Sequence, residues 1–199
     1  MGEPAMQRTT SNDADEDVRL MLACGAGDDA AFTLLFRRWS GPLLRYLERI
    51  VGNAASAQEV LQETFLRVHR ARERYRPEAR FSTWLFTIAN RLALNELRRP
   101  GRRSEHRSLE ADEDGRAPLV LAADTPRMED LLDARRDGDA LERSLAKLPE
   151  RQRAALWLTA VEGLSYAETA KTLETTEKSV KALVHRARVA LVDGAQTGA

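Results

Sequence analysis

Apolar residues return at the three-to-four spacing of a helix along most of the chain, and no comparable run alternates with the two-residue period of a strand. Between Val18 and Arg99 the pattern reads Phe32, Leu35, Phe36, Trp39, then Leu43, Leu47, Ile50, then Val60, Leu61, Phe65, Val68, then Leu85, Ile88, Leu92. The breaks have chemical causes. Ser40-Gly41-Pro42 is expected to open one helix and Gly52-Asn53 to close it, and Ser56-Ala57-Gln58-Glu59 reads as a capping box opening the next. Pro100-Gly101 ends this first series. A second follows Thr125-Pro126, with Leu141, Leu145, Leu148, Leu156, Leu158, Val161, Ala167, Ala170, Leu173, Val180, Val184, Ala187 and Leu191. The expected fold is all-α, with two small helical domains joined by a flexible linker.

The expected organisation is an acidic, disordered tail over 1–17, a helix bundle over 18–99, a linker over 100–135, a second helical domain over 136–193 and a short tail over 194–199. The first segment ends in Asp13-Ala14-Asp15-Glu16-Asp17 and has too few apolar residues to order itself by burial. The linker mixes Gly115, Pro118 and many charges without periodicity.

Composition narrows the function. Hydrophobic residues make up 43% of the 199 and charged residues 31%, enough for real cores beneath a charged exterior. Cys24 is the sole cysteine, so neither a disulfide nor a cysteine-based zinc site is expected, and a reducing cytoplasm fits. No run reaches the roughly 20 apolar residues of a membrane-spanning helix, so membrane insertion is not expected. Thirty-one basic and 31 acidic residues cancel, but they are unevenly placed. Arg67 to Arg107 is strongly basic and Glu110 to Glu142 strongly acidic, which implies separate surfaces for separate partners.

In the second domain Gly163-Leu164 separates two helices, and Ser165-Tyr166-Ala167-Glu168 is a capping box for a helix running to about Leu173. After Glu174-Thr175-Thr176 a further helix, about Glu177 to Leu191, places Val180, Val184, Ala187 and Leu191 in one stripe and Lys178, Lys181, His185, Arg186 and Arg188 on the other face. Two helices joined by a short turn, the second basic, form the helix-turn-helix that lays a recognition helix in the major groove. A solvated amphipathic helix would show the same charges, and the capped helix before it favours DNA.

In the first domain, Arg74-Tyr75-Arg76-Pro77-Glu78-Ala79-Arg80-Phe81-Ser82-Thr83-Trp84 sets aromatic rings among cations in a loop entering a helix. Aromatics stack on unpaired bases while arginines hold the backbone. Tyr75 is the expected stacking ring, with Phe81 and Trp84 as core anchors. The helix from Trp84 to Arg99 is expected to present Thr87, Asn90, Arg91, Asn95 and Arg98 to base edges and phosphates. The helix over 56–70 carries Gln58, Glu59, Gln62 and Glu63 beside Leu61, Phe65 and Leu66. From the residues alone that face is equally a protein-docking or a solvated one.

No catalytic or metal site emerges. His69, His106 and His185 are scattered, and although Glu59, Glu63, His69 and Glu73 lie close in sequence, the paired Glu-x-x-His signature of di-metal bundles is missing. There is no phosphate loop, no Gly-x-Ser-x-Gly and no His-Glu-x-x-His, so neither an enzyme nor a cofactor is expected. A stand-alone helix-turn-helix regulator, dimeric on a palindrome, is the alternative; it accounts for the second domain but not for Arg74 to Arg99.

From about Val18 to Leu191 the chain resembles the extracytoplasmic-function group of bacterial sigma factors. Ala57-Gln58-Glu59-Val60-Leu61-Gln62-Glu63-Thr64-Phe65 is similar to that family's polymerase-binding helix, and Phe81-Ser82-Thr83-Trp84-Leu85-Phe86-Thr87-Ile88-Ala89 with Leu97-Arg98-Arg99 to its minus-ten helix. Leu148-Pro149-Glu150-Arg151-Gln152-Arg153 and Glu162-Gly163-Leu164-Ser165-Tyr166-Ala167-Glu168 resemble its second DNA-binding domain, and Val180-Lys181 with His185-Arg186-Ala187-Arg188 its minus-thirty-five helix. The resemblance implies core RNA polymerase, promoter DNA and an anti-sigma factor as partners in the cytoplasm. It implies polymerase contacts at Glu59, Leu61, Gln62, Glu63, Phe65 and Leu66. Minus-ten contacts would fall on Arg74, Tyr75, Arg76, Ser82, Thr83, Thr87, Asn90, Arg91, Asn95 and Arg98, and minus-thirty-five contacts on Lys178, Ser179, Lys181, His185, Arg186 and Arg188. The chain departs from the family at Glu174, where glycine is favoured, and at Ala182 and Leu183, where polar or basic residues are common.

Overall fold

The computed structural model describes residues 6–99 and 144–196, with the linker expected over 100–135 outside them. The chain divides into two compact units, Met1–Glu96 and Leu97–Ala199. All regular elements among the described residues are helical.

The first unit opens with α1, Met6–Gly25, so the segment expected to be a tail through Asp17 is helical from Met6 onward. The reason lies far along the chain. Met21 and Cys24 are buried, and the Asp17 carboxylate accepts hydrogen bonds from Arg38 Nη1 at 2.6 Å and Trp39 Nε1 at 3.1 Å. Local composition carries no trace of partners more than twenty residues away.

Helix α2, Asp29–Val51, is capped by Asp28, whose carboxylate accepts from the backbone N–H groups of Ala30 and Ala31. It runs straight through Ser40-Gly41-Pro42, where a new helix was expected to start. An internal proline costs roughly 3 kcal/mol. Leu35 on one side and Leu43, Tyr46 and Leu47 on the other are fully buried on the same helix. At about 1.5–3 kcal/mol for each large apolar side chain, their burial outweighs the proline. Gly52 then takes the left-handed conformation at φ 70° and its N–H closes α2 on the Glu48 carbonyl.

Helix α3, Ala54–Ala71, begins one turn before the expected capping box. Asn53 is the cap, its side chain accepting from the Ser56 N–H at 3.0 Å, and Ser56 is buried inside the helix. A 3-10 turn, Arg72–Arg74, and an extended loop lead to α4, Phe81–Leu97. Gly25 at the end of α1 lies so close to this turn that a Cβ there would meet the Arg72 carbonyl oxygen at 2.6 Å. Inside the unit, Phe86 packs edge-on to Tyr46 at 5.2 Å and to Trp39 at 6.1 Å. The Tyr46 hydroxyl donates to Asn90 Oδ1 at 2.9 Å.

In the second unit a helical turn over 144–147 precedes α5, Glu150–Ala160. Helix α6, Tyr166–Thr172, carries the expected capping box: Ser165 Oγ accepts from the Glu168 N–H, and the Glu168 carboxylate accepts from the Ser165 N–H. Helix α7, Glu177–Gln196, starts on Thr176, whose hydroxyl oxygen accepts from the Ser179 N–H at 3.1 Å, and continues into the stretch expected as the last tail. Leu156, Leu158, Ala170, Val180, Val184, Ala187 and Leu191 close the core.

Candidate nucleic-acid interface

Helix α4 buries one side and presents the other. Phe81, Leu85, Phe86, Ala89, Leu92 and Ala93 are buried, whereas Trp84, Thr87, Ile88, Arg91 and Asn95 recur at three-to-four spacing on the side left partly or fully exposed, and Arg98 lies exposed just past the helix end. The loop before α4 leaves Arg74, Arg76 and Arg80 exposed, with Ser82 half-buried in the first turn.

Three expected contact residues are placed differently. Tyr75 is only 4% exposed, its ring 4.9 Å from Trp84 and 6.4 Å from Phe81, and its hydroxyl has no hydrogen-bond partner. Burial, and secondarily the Asp17 charge, pushes that hydroxyl's pKa up. A ring so enclosed has no free face for a base, and the half-buried Trp84, expected only as an anchor, takes the outward position. Asn90, 3% exposed, points the other way and accepts from Tyr46. Thr83 is buried too, and its carbonyl accepts from the Thr87 hydroxyl at 2.7 Å. Position along the helix separates these residues: Trp84 shares a side with Thr87, Arg91 and Asn95, and Asn90 lies round the helix towards the core.

Helix α3 presents Glu59, Gln62 and Leu66, the last 44% exposed. Phe65 is turned inward against Phe36 at 4.8 Å and Phe32 at 6.3 Å, and Leu61 is half-buried. Glu63 is engaged by Arg67 at 2.9 Å along the same helix. Phe36, counted as core from its spacing, is 42% exposed and lies against Phe65, so the apolar part of this surface is shared by α2 and α3.

In the second unit, α6, the turn and α7 form a helix-turn-helix. Helix α6 ends with the Thr175 N–H on the Ala170 carbonyl at 2.9 Å and the Glu174 N–H on the Lys171 carbonyl at 3.3 Å. Between them Glu174 adopts φ +52°, the left-handed region. Lys178 and Lys181 are exposed and His185 is half-buried beside them, one turn on. Lys181 Nζ lies 6.0 Å from the centre of the Tyr166 ring at the start of α6. Arg186 and Ser179 flank the opposite side of the helix and are half-buried, with Arg186 Nε buried. Arg186 therefore does not share the face of Lys181. Arg188 is half-buried, and its Nε has no hydrogen-bond partner. Leu183, which stands where the family often has a polar residue, is buried and belongs to the core.

Two helical units, each with a cation-bearing helix face over a closed core, define a protein of the nucleic-acid-binding class. The sigma-70 region 2 family matches residues 35–103 and the sigma-70 region 4 family residues 138–191. The RNA polymerase sigma-H factor of Pseudomonas aeruginosa is 30% identical over 183 residues, spanning 89% of this chain and 92% of the relative. The ECF RNA polymerase sigma factor SigE of Mycolicibacterium smegmatis is 36% identical over 184 residues, 90% of this chain and 68% of the relative. Among solved structures, CnrH in complex with the cytosolic domain of CnrY superposes with a TM-score of 0.64 at 24% identity, covering 92% of this chain and 99% of CnrH. The sigma factor RpoE from Bartonella quintana, in complex with the anti-sigma factor NepR, gives 0.62 at 21% identity, covering 83% and 96%.

The chain belongs to the sigma-70 family, in its ECF group of RNA polymerase sigma factors. It is a transcription initiation factor that confers promoter specificity on RNA polymerase, and not an enzyme. No helix among the described residues is long and apolar enough to cross a membrane.

Proposed function

We propose that this sigma factor opens and reads the minus-ten element with the outward side of α4 and reads the minus-thirty-five element with the first three turns of α7. The observation that carries the reading is the stripe Trp84, Thr87, Arg91 and Asn95, one aromatic ring followed by hydroxyl, guanidinium and amide groups along a single side of one helix. The ring is suited to stack on an unpaired base, the cations to hold phosphates and the amide to meet a base edge. Arg74, Arg76 and Arg80 extend the cationic surface across the adjoining loop. On α7 the base-reading group is Lys178, Lys181 and His185 rather than the pair Lys181 and Arg186, because the latter two lie on different sides.

Core RNA polymerase docks on Glu59, Gln62 and Leu66 of α3 with Phe36 of α2, an apolar patch edged by polar groups. The protein acts in the cytoplasm with its polymerase, and an anti-sigma factor is its antagonist, as NepR is for RpoE. The test is run-off transcription with core polymerase over a promoter library. Trp84→Ala and Arg91→Ala should lower output on duplex promoters and change minus-ten preference, and Lys181→Ala should relax preference only at minus-thirty-five positions. Parental preference in all three variants would overturn the assignment.

A further inference from the structure

Asp17 and Trp39 stand outside every surface assigned above, yet a continuous series of contacts joins them to the loop that opens α4. Asp17 accepts from Arg38 Nη1 at 2.6 Å and Trp39 Nε1 at 3.1 Å, and Glu16 accepts from Arg38 Nη2 at 2.7 Å. Two neighbouring carboxylates of α1 thus hold one cation and one indole of α2. The indole lies 6.2 Å from Phe81, and Phe81 in turn lies 6.4 Å from Tyr75 and 5.9 Å from Trp84.

Asp17 is 3% exposed. Its ion pair with the exposed Arg38 leaves one charge partly in water and the other desolvated, so the net stabilisation it brings is a weak reason for its presence. What it does supply is direction. Apolar packing leaves an indole some freedom to rotate, whereas a charge-assisted hydrogen bond to its N–H fixes the plane of the ring. In a close-packed interior that plane sets the seating of Phe81, and Phe81 begins α4 three residues before Trp84.

We propose that Asp17, acting through Trp39, is a positioning residue for minus-ten opening: it fixes the indole, the indole seats Phe81, and Phe81 holds Trp84 at the angle from which it meets the separating strands. The inference rests on the assignment of the α4 stripe to the minus-ten element. Asp17 and Phe81 are buried, Trp39 is half-buried, and none of the three belongs to the surface assigned to polymerase, so the effect is expected on the opening step.

The experiment measures open-complex formation by holoenzyme, through permanganate reactivity of unpaired thymines, on a duplex promoter and on the same promoter with a mismatched, pre-opened minus-ten region. Core affinity is measured alongside. Asp17→Leu and Trp39→Phe should slow opening of the duplex about tenfold, the scale of one lost charge-assisted hydrogen bond. Both should match the parent on the pre-opened template and in core affinity. Asp17→Asn, which keeps an oxygen for the indole, should fall between parent and Asp17→Leu.

Parental opening of the duplex by Trp39→Phe and Asp17→Asn overturns the inference, as does an equal loss on both templates. If Asp17→Leu loses core affinity through misfolding, the Trp39→Phe and Asp17→Asn results decide by the same criterion. Trp84→Ala separates the two levels. A slow Trp84→Ala beside parental Asp17 and Trp39 variants removes the positioning role alone, whereas a parental Trp84→Ala removes the stripe's assignment and the inference with it.

Discussion

Glu174 offers a test of the helix-turn-helix backbone that does not involve DNA. It sits at φ +52° between the two hydrogen bonds that end α6. For a residue with a Cβ the left-handed conformation costs roughly 1–2 kcal/mol, a cost glycine escapes. Glycine also has more conformational freedom to lose on folding, worth about 0.5–1 kcal/mol, which offsets part of the gain. Glu174→Gly should therefore stabilise the second unit by about 0.5–1 kcal/mol, the difference between those effects. Glu174→Ala removes the carboxylate but keeps the Cβ, so comparing Ala with Gly isolates the backbone contribution from whatever the Glu174 side chain itself contributes.

Chains labelled with 5-fluorotryptophan suit the measurement, because Trp157 is the one tryptophan beyond Leu97 and its fluorine resonance reports on that unit separately from Trp39 and Trp84. At about 4–8 °C per kcal/mol for a small domain, the Trp157 transition should rise by roughly 2–8 °C in the Gly variant relative to Ala. The two backbone bonds from Thr175 and Glu174 survive the change, so minus-thirty-five preference should stay parental. A Gly variant no more stable than Ala would refute a left-handed turn at this position.

Gly25→Ala would set a methyl 2.6 Å from the Arg72 carbonyl oxygen, and urea denaturation should show the first unit destabilised by about 1–3 kcal/mol through overpacking. Asn90→Ala deletes the acceptor of the buried Tyr46 hydroxyl and should cost about 1–3 kcal/mol in the same assay, whereas an Asn90 that read DNA from the surface would be replaced at little cost to stability. Burial, opposed by Arg38, raises the Asp17 pKa above the ordinary carboxylate value, so a proton binds Asp17 more readily in the folded unit than in the unfolded chain. That contribution is fully present below about pH 4, the unfolded value, and is lost as pH rises through the folded pKa. Asp17→Asn should flatten this part of the pH profile of stability, and an unchanged profile would contradict the shift.

Helical class and the two-domain division were legible because both follow from a local period, and the Ser165–Glu168 box was legible because a cap is settled within four residues. The misreadings arose where a distant partner decides. Pro42 looks like a helix start until the buried residues on both sides are set against its cost, and Asp15-Glu16-Asp17 looks like a tail until Arg38 and Trp39 are brought to it. Ser56 has the composition of a cap, but Asn53 lies one turn earlier and follows a left-handed Gly52 that had already turned the chain.

The candidate sites were legible as residue types but not as faces. Asn90 and Arg91 are equally polar and adjacent, yet one accepts from Tyr46 in the core and the other faces out, and only the position of the buried stripe around α4 distinguishes them. The same holds for Lys181 and Arg186, five residues apart and therefore well over a third of a turn out of phase. Tyr75 and Trp84 went astray for a different reason. Two rings of similar character stand 4.9 Å apart at one corner, and which is enclosed depends on how the loop turns into α4. That turn leads into Phe81, whose ring lies 6.2 Å from an indole that Asp17 holds from another helix. On the positioning role proposed for Asp17, the angle of the outward ring is set from 67 positions away in sequence, as the numbers 17 and 84 show.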